Sequence, residues 1–359
     1  MSRVLFLDPY HGPSHAALST AYAAHSRHQV TLLALPPRKW KWRMRGAALA
    51  FEPQVRALPE PPEALVTTDM LNVPEFLALL RDALPPRLPV VTYFHENQIT
   101  YPLPRRDERD FHFGLANIHT ALASDLVVFN SAFHRDEFLA AIPSLIGLMP
   151  DQRPEGLVAR VAARSQVLGV PVDVPDVPGP PRAPEKLIAW NHRWEEDKDP
   201  DAFFAAMEAL DARGVEFKMV VLGQSFREQP ACFARASARL AHRVAHWGYL
   251  PHREAYLAML ARCRVVASTA RHEFYGLAVR EAIAAGCYPL LPHRVVYPEL
   301  VDGRAEHLWR THEELVAKLA DLMAGPAPRV DPALRARAAT PTFFQAARRL
   351  DTWIDELIR

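Results

Sequence analysis

Glycine is scarce in this chain, and its few copies are widely spaced. The 359 residues include 14 Gly, which never occur as G-x-G, and no G-x-x-x-x-G-K string is present. These absences remove the usual sequence signatures of dinucleotide-binding proteins, kinases and P-loop proteins. Any phosphate-binding site must therefore be sought in other patterns.

Cysteine is equally rare, with Cys232, Cys263 and Cys287 as its three copies and no C-x-x-C pair. This number and spacing support neither a disulfide framework nor a cysteine metal site, and they suit a reducing compartment. No apolar run approaches the length of a membrane span, and the N-terminal segment lacks a signal-peptide pattern. We therefore expect a soluble cytoplasmic protein without membrane association, and nothing indicates an obligate protein partner.

An excess of one charge is also absent. Lys and Arg total 42 against 41 Asp and Glu, a formal net charge of +1. Binding to nucleic acid through overall charge is thereby disfavoured, so any such binding would need a local basic patch. The chain is 49% hydrophobic and 23% charged, close to globular averages. Its length indicates about two domains.

Short apolar segments alternate with helix-like stretches, which predicts α/β domains with parallel sheets covered on both faces. The pattern predicts two doubly wound, Rossmann-like halves. Ligands of open α/β sheets bind at the carboxyl ends of the strands, so we expect a shared cleft there. Strands are predicted at 4–7, 29–35, 64–68, 89–94, 126–130, 187–190, 217–222, 244–247 and 265–268.

A proline-rich segment divides the two halves. Residues 169–184 hold six prolines in sixteen positions and can form neither a helix nor a central strand. We predict an N-terminal domain over 1–168, a linker over 169–184 and a C-terminal domain over 185–341. An amphipathic helix over 342–359 is expected to cross back to the N-terminal domain.

Two carboxylates eight residues apart follow the last predicted strand. Glu273 is expected just before a helix and Glu281 about two turns inside it, both near one face. This spacing suits a sugar nucleotide, with Glu281 on the ribose diol and Glu273 on sugar hydroxyls. The free N–H groups and the dipole at the helix start would bind the diphosphate; they belong to Tyr275, Gly276 and Leu277. A capping Glu and a solvated Glu would give the same pattern.

A second charged element, Arg193 with Lys198, lies in the loop after the strand at 187–190. Positive charge in such a loop can bind phosphates, although a charged loop can also be merely solvated. The segment Asp197-Lys198-Asp199 matches the D-x-D string of metal-dependent sugar transferases. The surrounding pattern instead favours Lys198 on a diphosphate. No H-E-x-x-H string occurs, and no metal is expected.

Together these two elements resemble the retaining GT-B glycosyltransferases of family four, whose E-x7-E motif and basic diphosphate pair they match. The resemblance implies a GT-B fold and a catalytic group comprising His95, Arg193, Lys198 and Glu273. It places His95 against the donor sugar; by position alone, an isolated loop His is more often structural.

A narrower resemblance is to the tRNA-queuosine mannosyltransferases, and it covers about residues 10 to 300. The matching strings include Lys39-Trp40-Lys41-Trp42-Arg43, Tyr93-Phe94-His95-Glu96-Asn97-Gln98, Glu108-Arg109-Asp110-Phe111, Pro150-Asp151-Gln152-Arg153-Pro154, His246-Trp247-Gly248-Tyr249-Leu250-Pro251 and Tyr297-Pro298-Glu299. The family's first loop reads Gly-Gly-Ser-His, whereas here Pro13 stands second and offers no N–H. Gly12 and Ser14 are therefore the expected phosphate donors in this loop.

This resemblance implies transfer of mannose from GDP-mannose, with retention, to the cyclopentenediol of queuosine in a tRNA anticodon loop. No cofactor or metal is implied. One segment of the chain agrees independently, because basic residues there alternate with two Trp that could stack on splayed bases. These residues are Arg38, Lys39, Trp40, Lys41, Trp42, Arg43 and Arg45. An amphipathic surface segment whose Trp side chains pack on the core would show the same pattern.

Two alternative functions can be weighed against this one. A family-four enzyme with a lipid, glycan or small-molecule acceptor would share the donor site, and the basic segment could then meet an anionic membrane. A non-catalytic binder of RNA or nucleotide is disfavoured, because binding RNA alone does not require Arg193, Lys198, Glu273 and Glu281.

Overall fold

A computed structural model describes residues 1–102, 110–174, 186–225 and 229–359 of the chain. They form two compact units: unit 1 comprises Met1–Pro171 and Pro341–Arg359, and unit 2 comprises Val172–Thr340. Most of the predicted linker lies outside the described residues, and its first part, 169–174, contains neither helix nor strand. Among the helices of the described ranges, none is both long and apolar enough to span a bilayer.

Unit 1 contains a six-stranded sheet in the order β2-β1-β3-β4-β5-β6, and every neighbouring pair is parallel. Its elements are β1 Arg3–Asp8, α1 Pro13–His25, β2 Gln29–Ala34, α2 Trp40–Arg56, β3 Ala64–Thr68, α3 Val73–Leu79, β4 Val90–Phe94, α4 Phe111–Ala123, β5 Leu126–Phe129, α5 Ala132–Ile146, α6 Leu157–Ala162, β6 Ser165–Val167 and, from the C-terminus, α14 Phe343–Ile358.

The central strands of unit 1 are buried along almost their whole length, as parallel strands between two helical layers must be. The strand register puts the core residues that pack with α2 and α3, and those that pack with α4 and α5, on the same face of the sheet. Phe6, which points to the opposite face, contacts Tyr22 of α1. The C-terminal helix α14 packs on α1, and its buried Asp351 accepts hydrogen bonds from Ser26 Oγ at 2.6 Å and Arg27 N at 2.9 Å.

Unit 2 contains a second parallel six-stranded sheet, in the order β12-β11-β10-β7-β8-β9. Its elements are β7 Leu187–Asn191, α7 Pro200–Ala212, β8 Lys218–Leu222, α8 Cys232–Arg239, β9 Val244–Gly248, α9 Arg253–Arg262, β10 Val265–Ala267, α10 Leu277–Ala284, β11 Tyr288–Pro292, α11 Tyr297–Leu300, β12 Leu308–Trp309, α12 His312–Ala324 and α13 Pro332–Ala338.

All nine predicted strands are present, and the α/β prediction is confirmed. The prediction missed β6, β11 and β12. Two of these are very short, and β11 contains Pro289 and Pro292, residues that argue against a strand with neighbours on both sides. Burial of Leu290 and Leu291 overrides that preference here.

Candidate active site

Lys198 ends the loop after β7, in a 3-10 turn over Glu196–Lys198. Its side chain is only 7% exposed. The ammonium contacts three acceptors, which are His272 O at 2.7 Å, Asp197 Oδ2 at 3.0 Å and Glu273 Oε2 at 3.3 Å. A Lys ammonium has three N–H donors, so this arrangement can satisfy all of them. A phosphate oxygen would bind Lys198 by replacing one of these partners.

The charges of this cluster are fixed by their neighbours. Burial alone would raise the pKa of the Glu273 carboxyl, but the Lys198 ammonium outweighs burial and lowers that pKa to about 2. Burial would likewise lower the pKa of Lys198, but Glu273 and Asp197 raise it above its ordinary value. Burial and the Lys198 charge lower the pKa of His192 to about 3 and that of His272 to about 4. At neutral pH the cluster therefore combines an ion pair with two neutral imidazoles.

Helix α10 starts later than the sequence suggested. Its first residue is Leu277, with Gly276 as the N-cap at φ +77°. Glu281 is thus about one turn inside α10 rather than two, whereas Glu273 precedes the helix, as predicted. The prediction that both carboxylates share one helical face is wrong, because residues 271–276 are not helical.

The three N–H groups predicted for a diphosphate have different environments. The Gly276 N–H is near enough to the Glu273 carboxylate to help lower its pKa; its binding of a phosphate stays a prediction. Leu277 is the first residue of α10, where N–H groups lack helical partners. The Tyr275 ring is buried, with the Arg280 guanidinium 4.2 Å from its centroid.

The Glu281 carboxylate is held by residues that sequence reasoning missed. Arg253 Nη1 lies 2.6 Å from Oε1, and Tyr256 Oη donates to Oε2 at 2.7 Å. Asn191 Nδ2, at the end of β7, donates to Tyr256 Oη at 2.8 Å. The three-residue spacing of Arg253 and Tyr256 puts them on one face of α9. Their link to Glu281 becomes visible only when the neighbours of α9 are known.

Arg193 lies on the same loop as Lys198 but is far more open. Its side chain is 49% exposed and forms an ion pair with Glu195 at 3.0 Å. The loop is anchored by Trp194, whose ring stacks on Phe233 at 4.2 Å between centroids. It also passes close to Gly223, where φ is +129° and an added Cβ would lie 1.7 Å from His192 O. Only glycine fits at that position.

A second polar cluster lies at the carboxyl edge of the unit 1 sheet. Asp8 ends β1, Asp69 follows β3 and His95 follows β4, and these three strands are neighbours. The buried Asp8 carboxylate contacts His15 Nδ1 at 3.2 Å and His11 Nδ1 at 2.8 Å. The His15 ring stacks on the His95 ring at 3.9 Å with a 20° interplanar angle.

The charge states in this cluster differ. Burial opposes protonation of His15, but the Asp8 carboxylate outweighs it and raises the pKa of His15. Burial, together with His15, lowers the pKa of His95 well below its usual range. Burial raises the pKa of Asp69. The structure thus places the predicted catalytic His95 beside groups that the sequence did not indicate as functional; its contact with a donor sugar stays a prediction.

The two donors predicted in the loop before α1 have different environments. Gly12 N donates to Tyr10 O at 2.6 Å, so a phosphate would have to displace that partner, and its role as a phosphate donor stays a prediction. Pro13 is the first residue of α1, where the missing N–H costs no helical hydrogen bond. Ser14 follows in the first turn, whose N–H groups have no helical partner.

Some side chains of the basic segment 38–45 pack against the protein, and others are exposed to solvent. Helix α2 begins at Trp40, whose ring packs on Phe113 at 5.0 Å between centroids. Trp42 is 74% exposed. Trp40 is half-buried and packs against Phe113, as the alternative of a core-packed Trp expects, whereas Trp42 is accessible. Stacking of either ring on a base stays a prediction. Arg45 is tied to Asp110 at 2.5 Å.

The other basic residues of the segment mostly point to solvent. Arg38, Lys39 and Lys41 are exposed, and half-buried Arg43 donates from Nε to Pro36 O at 3.1 Å. Lys39 has φ +54° and precedes α2 as its N-cap.

The carboxylates of the D-x-D string have cationic partners. Asp197 contacts Lys198, and Asp199 Oδ2 accepts from Arg271 Nε at 2.7 Å. In the ranges that the structure describes, no group of three or more His, Cys, Asp or Glu side chains could hold a metal ion. That the protein needs no metal stays a prediction.

Solved glycosyltransferase structures share this architecture. Sucrose-phosphate synthase from Thermosynechococcus elongatus aligns with a TM-score of 0.71 at 15% identity, over 99% of both chains. The lipopolysaccharide outer core galactosyltransferase WaaB aligns with a TM-score of 0.63 at 11% identity, also over 99% of both chains. The family model for glycosyl transferases group 1 matches residues 178–338. The protein is therefore a glycosyltransferase of the GT-B fold.

A narrower family is shown by two further matches. The family model for the N-terminal part of tRNA-queuosine alpha-mannosyltransferase matches residues 3–172. A Drosophila melanogaster protein of that name is 34% identical over 331 residues, which cover 88% of this chain and 85% of the fly protein. This chain belongs to the tRNA-queuosine alpha-mannosyltransferase family, and the resemblance identified from its sequence is confirmed.

Proposed function

We propose that the protein transfers mannose from GDP-mannose to the cyclopentenediol of queuosine in tRNA, with retention of configuration. The observation that carries this proposal is the buried Lys198–Glu273 ion pair beside the start of α10. It lies in a chain that matches its family across both units. A buried cation near a helix N-terminus is the environment that a diphosphate requires.

In this proposal the diphosphate binds to Lys198, Arg193 and the first N–H groups of α10. Lys198 is charged and buried, so its attraction to a phosphate is screened little by solvent. Arg193 is exposed and contributes the second positive charge. Glu281, held at both oxygens by Arg253 and Tyr256, accepts from the ribose hydroxyls, and Glu273 accepts from a sugar hydroxyl.

The chemical step that we propose is attack on the same face from which the diphosphate leaves. The acceptor hydroxyl passes its proton to the leaving diphosphate, and the sugar passes through an oxocarbenium-like state. The protein's main contribution is then electrostatic stabilisation of charge that develops on the diphosphate. Lys198 suits this role because its raised pKa keeps it protonated throughout. No metal takes part in this proposal.

For the tRNA we propose an approach along the start of α2. Arg38, Lys39 and Lys41 offer exposed positive charge, and Trp42 offers an exposed ring for stacking on an unpaired base. With a net charge of +1, the affinity must come from this local patch and should fall steeply with salt.

The test is mass spectrometry of tRNA nucleosides after incubation with the purified protein and a panel of sugar nucleotides. We expect queuosine to gain one hexose with GDP-mannose and not with UDP-linked sugars. Unmodified queuosine with every donor would contradict the proposal. In that case, flotation with anionic liposomes would test the alternative of a lipid acceptor, which the same basic patch could approach.

A further inference from the structure

Two buried side chains at the carboxyl edge of the unit 1 sheet have polar atoms without partners. His95 is 7% exposed and Asp69 is 1% exposed. Neither Nδ1 nor Nε2 of His95, nor Oδ2 of Asp69, hydrogen-bonds any group within the described residues. Buried polar atoms are nearly always hydrogen-bonded, because an unmet one costs roughly 1–3 kcal/mol. These atoms therefore point to a polar ligand.

The surrounding contacts narrow the chemistry of that ligand. The backbone N–H groups of His95 and Glu96 both donate to Asp69 Oδ1, at 2.8 and 3.5 Å. These contacts fix the orientation of the carboxyl group and leave its Oδ2 atom without a partner in the part of the chain that the structure describes. A neutral imidazole offers one donor and one acceptor, and the lowered pKa of His95 keeps it neutral. The site thus presents donors and acceptors side by side.

The Asp8 carboxylate fixes the position of the His15 ring. Asp8 Oδ1 lies 3.2 Å from His15 Nδ1, and the His15 ring stacks against the His95 ring. Ser19 Oγ donates to Asp8 Oδ2 at 3.1 Å and so fixes the carboxylate in turn. Burial raises the pKa of Asp69 to about 7, so its carboxyl can accept a hydrogen bond and, when protonated, donate one. A cation would be repelled by the protonated His15. Hydroxyl groups, which donate and accept at once, suit this set of partners.

We propose that His95, Asp69 and His15 form a binding site for a cis-vicinal diol, with Asp8 as the positioning residue of His15. Two substrates of the proposed function carry such a diol, namely the C2 and C3 hydroxyls of mannose and the cyclopentenediol of queuosine. The inference rests on that function for the identity of its ligand, and the test separates the two sources.

The test uses pairs of ligands that differ by the group bearing the diol. For the acceptor, we would compare the affinity of an anticodon stem-loop containing queuosine with one containing its 7-aminomethyl-7-deazaguanine precursor, which lacks the cyclopentenediol. For the donor, we would compare GDP-mannose with GDP. The variant is Asp69→Asn, since an amide oxygen can still accept from His95 N. The control is Thr67→Val, which removes a buried hydroxyl of the same strand that already has a partner, since Thr67 Oγ1 donates to Leu7 O at 3.0 Å.

We expect Asp69→Asn to reduce one affinity ratio roughly tenfold and to leave binding of the ligand without the diol unchanged; Thr67→Val should alter neither ratio. If the variant loses the preference for the queuosine stem-loop over the precursor stem-loop, the site binds queuosine. If it loses the preference for GDP-mannose over GDP, the site binds mannose. Unchanged ratios, or equal weakening of both members of a pair, would overturn the inference. If Asp69→Asn does not fold, His15→Gln gives the same readout.

A failure of the proposed function looks different. The wild-type protein would then leave queuosine unmodified or would not bind the queuosine stem-loop. The comparison of GDP-mannose with GDP would still test the diol site.

Discussion

The carboxyl edges of the two sheets carry polar clusters of opposite character. In unit 2, Lys198 has three acceptors around its ammonium, and Glu281 is held at both oxygens. In unit 1, His95 and Asp69 are as deeply buried but retain unpaired atoms within the described residues. The charges of the first cluster are balanced mainly by one another, whereas atoms of the second have no partner among the described residues.

This difference separates two ways of preparing a site. A balanced cluster is stable on its own, and its ligand must compete for partners, as a diphosphate would for Lys198. An incomplete cluster carries a standing cost that its ligand removes. Substitutions should therefore affect stability and activity together in unit 2, and mostly ligand discrimination in unit 1.

The largest effect is expected for Lys198→Ala. Turnover should fall by about 10²–10³ because stabilisation of the leaving diphosphate is lost. The free energy of unfolding should also fall, by about 3–5 kcal/mol, because Glu273 would be left as a buried charge without its partner. Steady-state kinetics and chemical denaturation measure the two effects.

The double variant Lys198→Met with Glu273→Gln is the matched control. It should regain part of the lost stability without regaining turnover. Near-normal turnover in Lys198→Ala would contradict the balanced-cluster account.

Gly223→Ala should be the next most severe change. An added Cβ would overlap His192 O and displace the loop that carries Arg193 and Lys198. We expect a higher KM for the donor and a lower melting temperature. The control is Gly214→Ala, which also has positive φ, at +70°, but has nothing within 4 Å, so it should lower only stability. Equal donor KM values in the two variants would argue against this role for the close contact.

Smaller effects are expected for the two Trp residues of the basic segment in unit 1, which differ in exposure. Trp42→Ala should weaken tRNA binding by roughly five- to a hundredfold, the range for one stacked base, and leave the melting temperature unchanged. Trp40→Ala should instead lower the melting temperature, because its ring packs on Phe113. Filter binding and thermal unfolding distinguish them. If Trp42→Ala binds tRNA normally, the tRNA approaches elsewhere.

The smallest expected effect is that of Tyr256→Phe. It removes the hydrogen bond to Glu281 Oε2 while Arg253 keeps the other oxygen in place. Donor KM should rise roughly two- to tenfold with kcat little changed. Tyr249→Phe, on an exposed side chain, is the control. A fall in kcat with constant KM would show that Glu281 acts in the chemical step rather than in ribose binding.

The comparison also explains what the sequence could reveal. Lys198 was predicted because positive charge in a strand-to-helix loop can bind phosphates, and Glu273 and Glu281 were predicted from their eight-residue spacing. Asp8 and Asp69 are single acids after ordinary strands, and they gain meaning only when β1, β3 and β4 are known to be neighbours. The start of α10 was misplaced because contacts with the loop after β7 hold residues 271–276 outside the helix. Arg271 N donates to Asp197 O at 2.8 Å, Lys198 Nζ donates to His272 O at 2.7 Å, and Gly276 has a positive φ.

The most direct test of the central claim is a crystal structure of the protein with GDP. The account predicts a phosphate oxygen within about 3.2 Å of Lys198 Nζ, the diphosphate at the start of α10 and the ribose hydroxyls on Glu281. A diphosphate bound away from Lys198, for instance at His15 and His95 in unit 1, would contradict it.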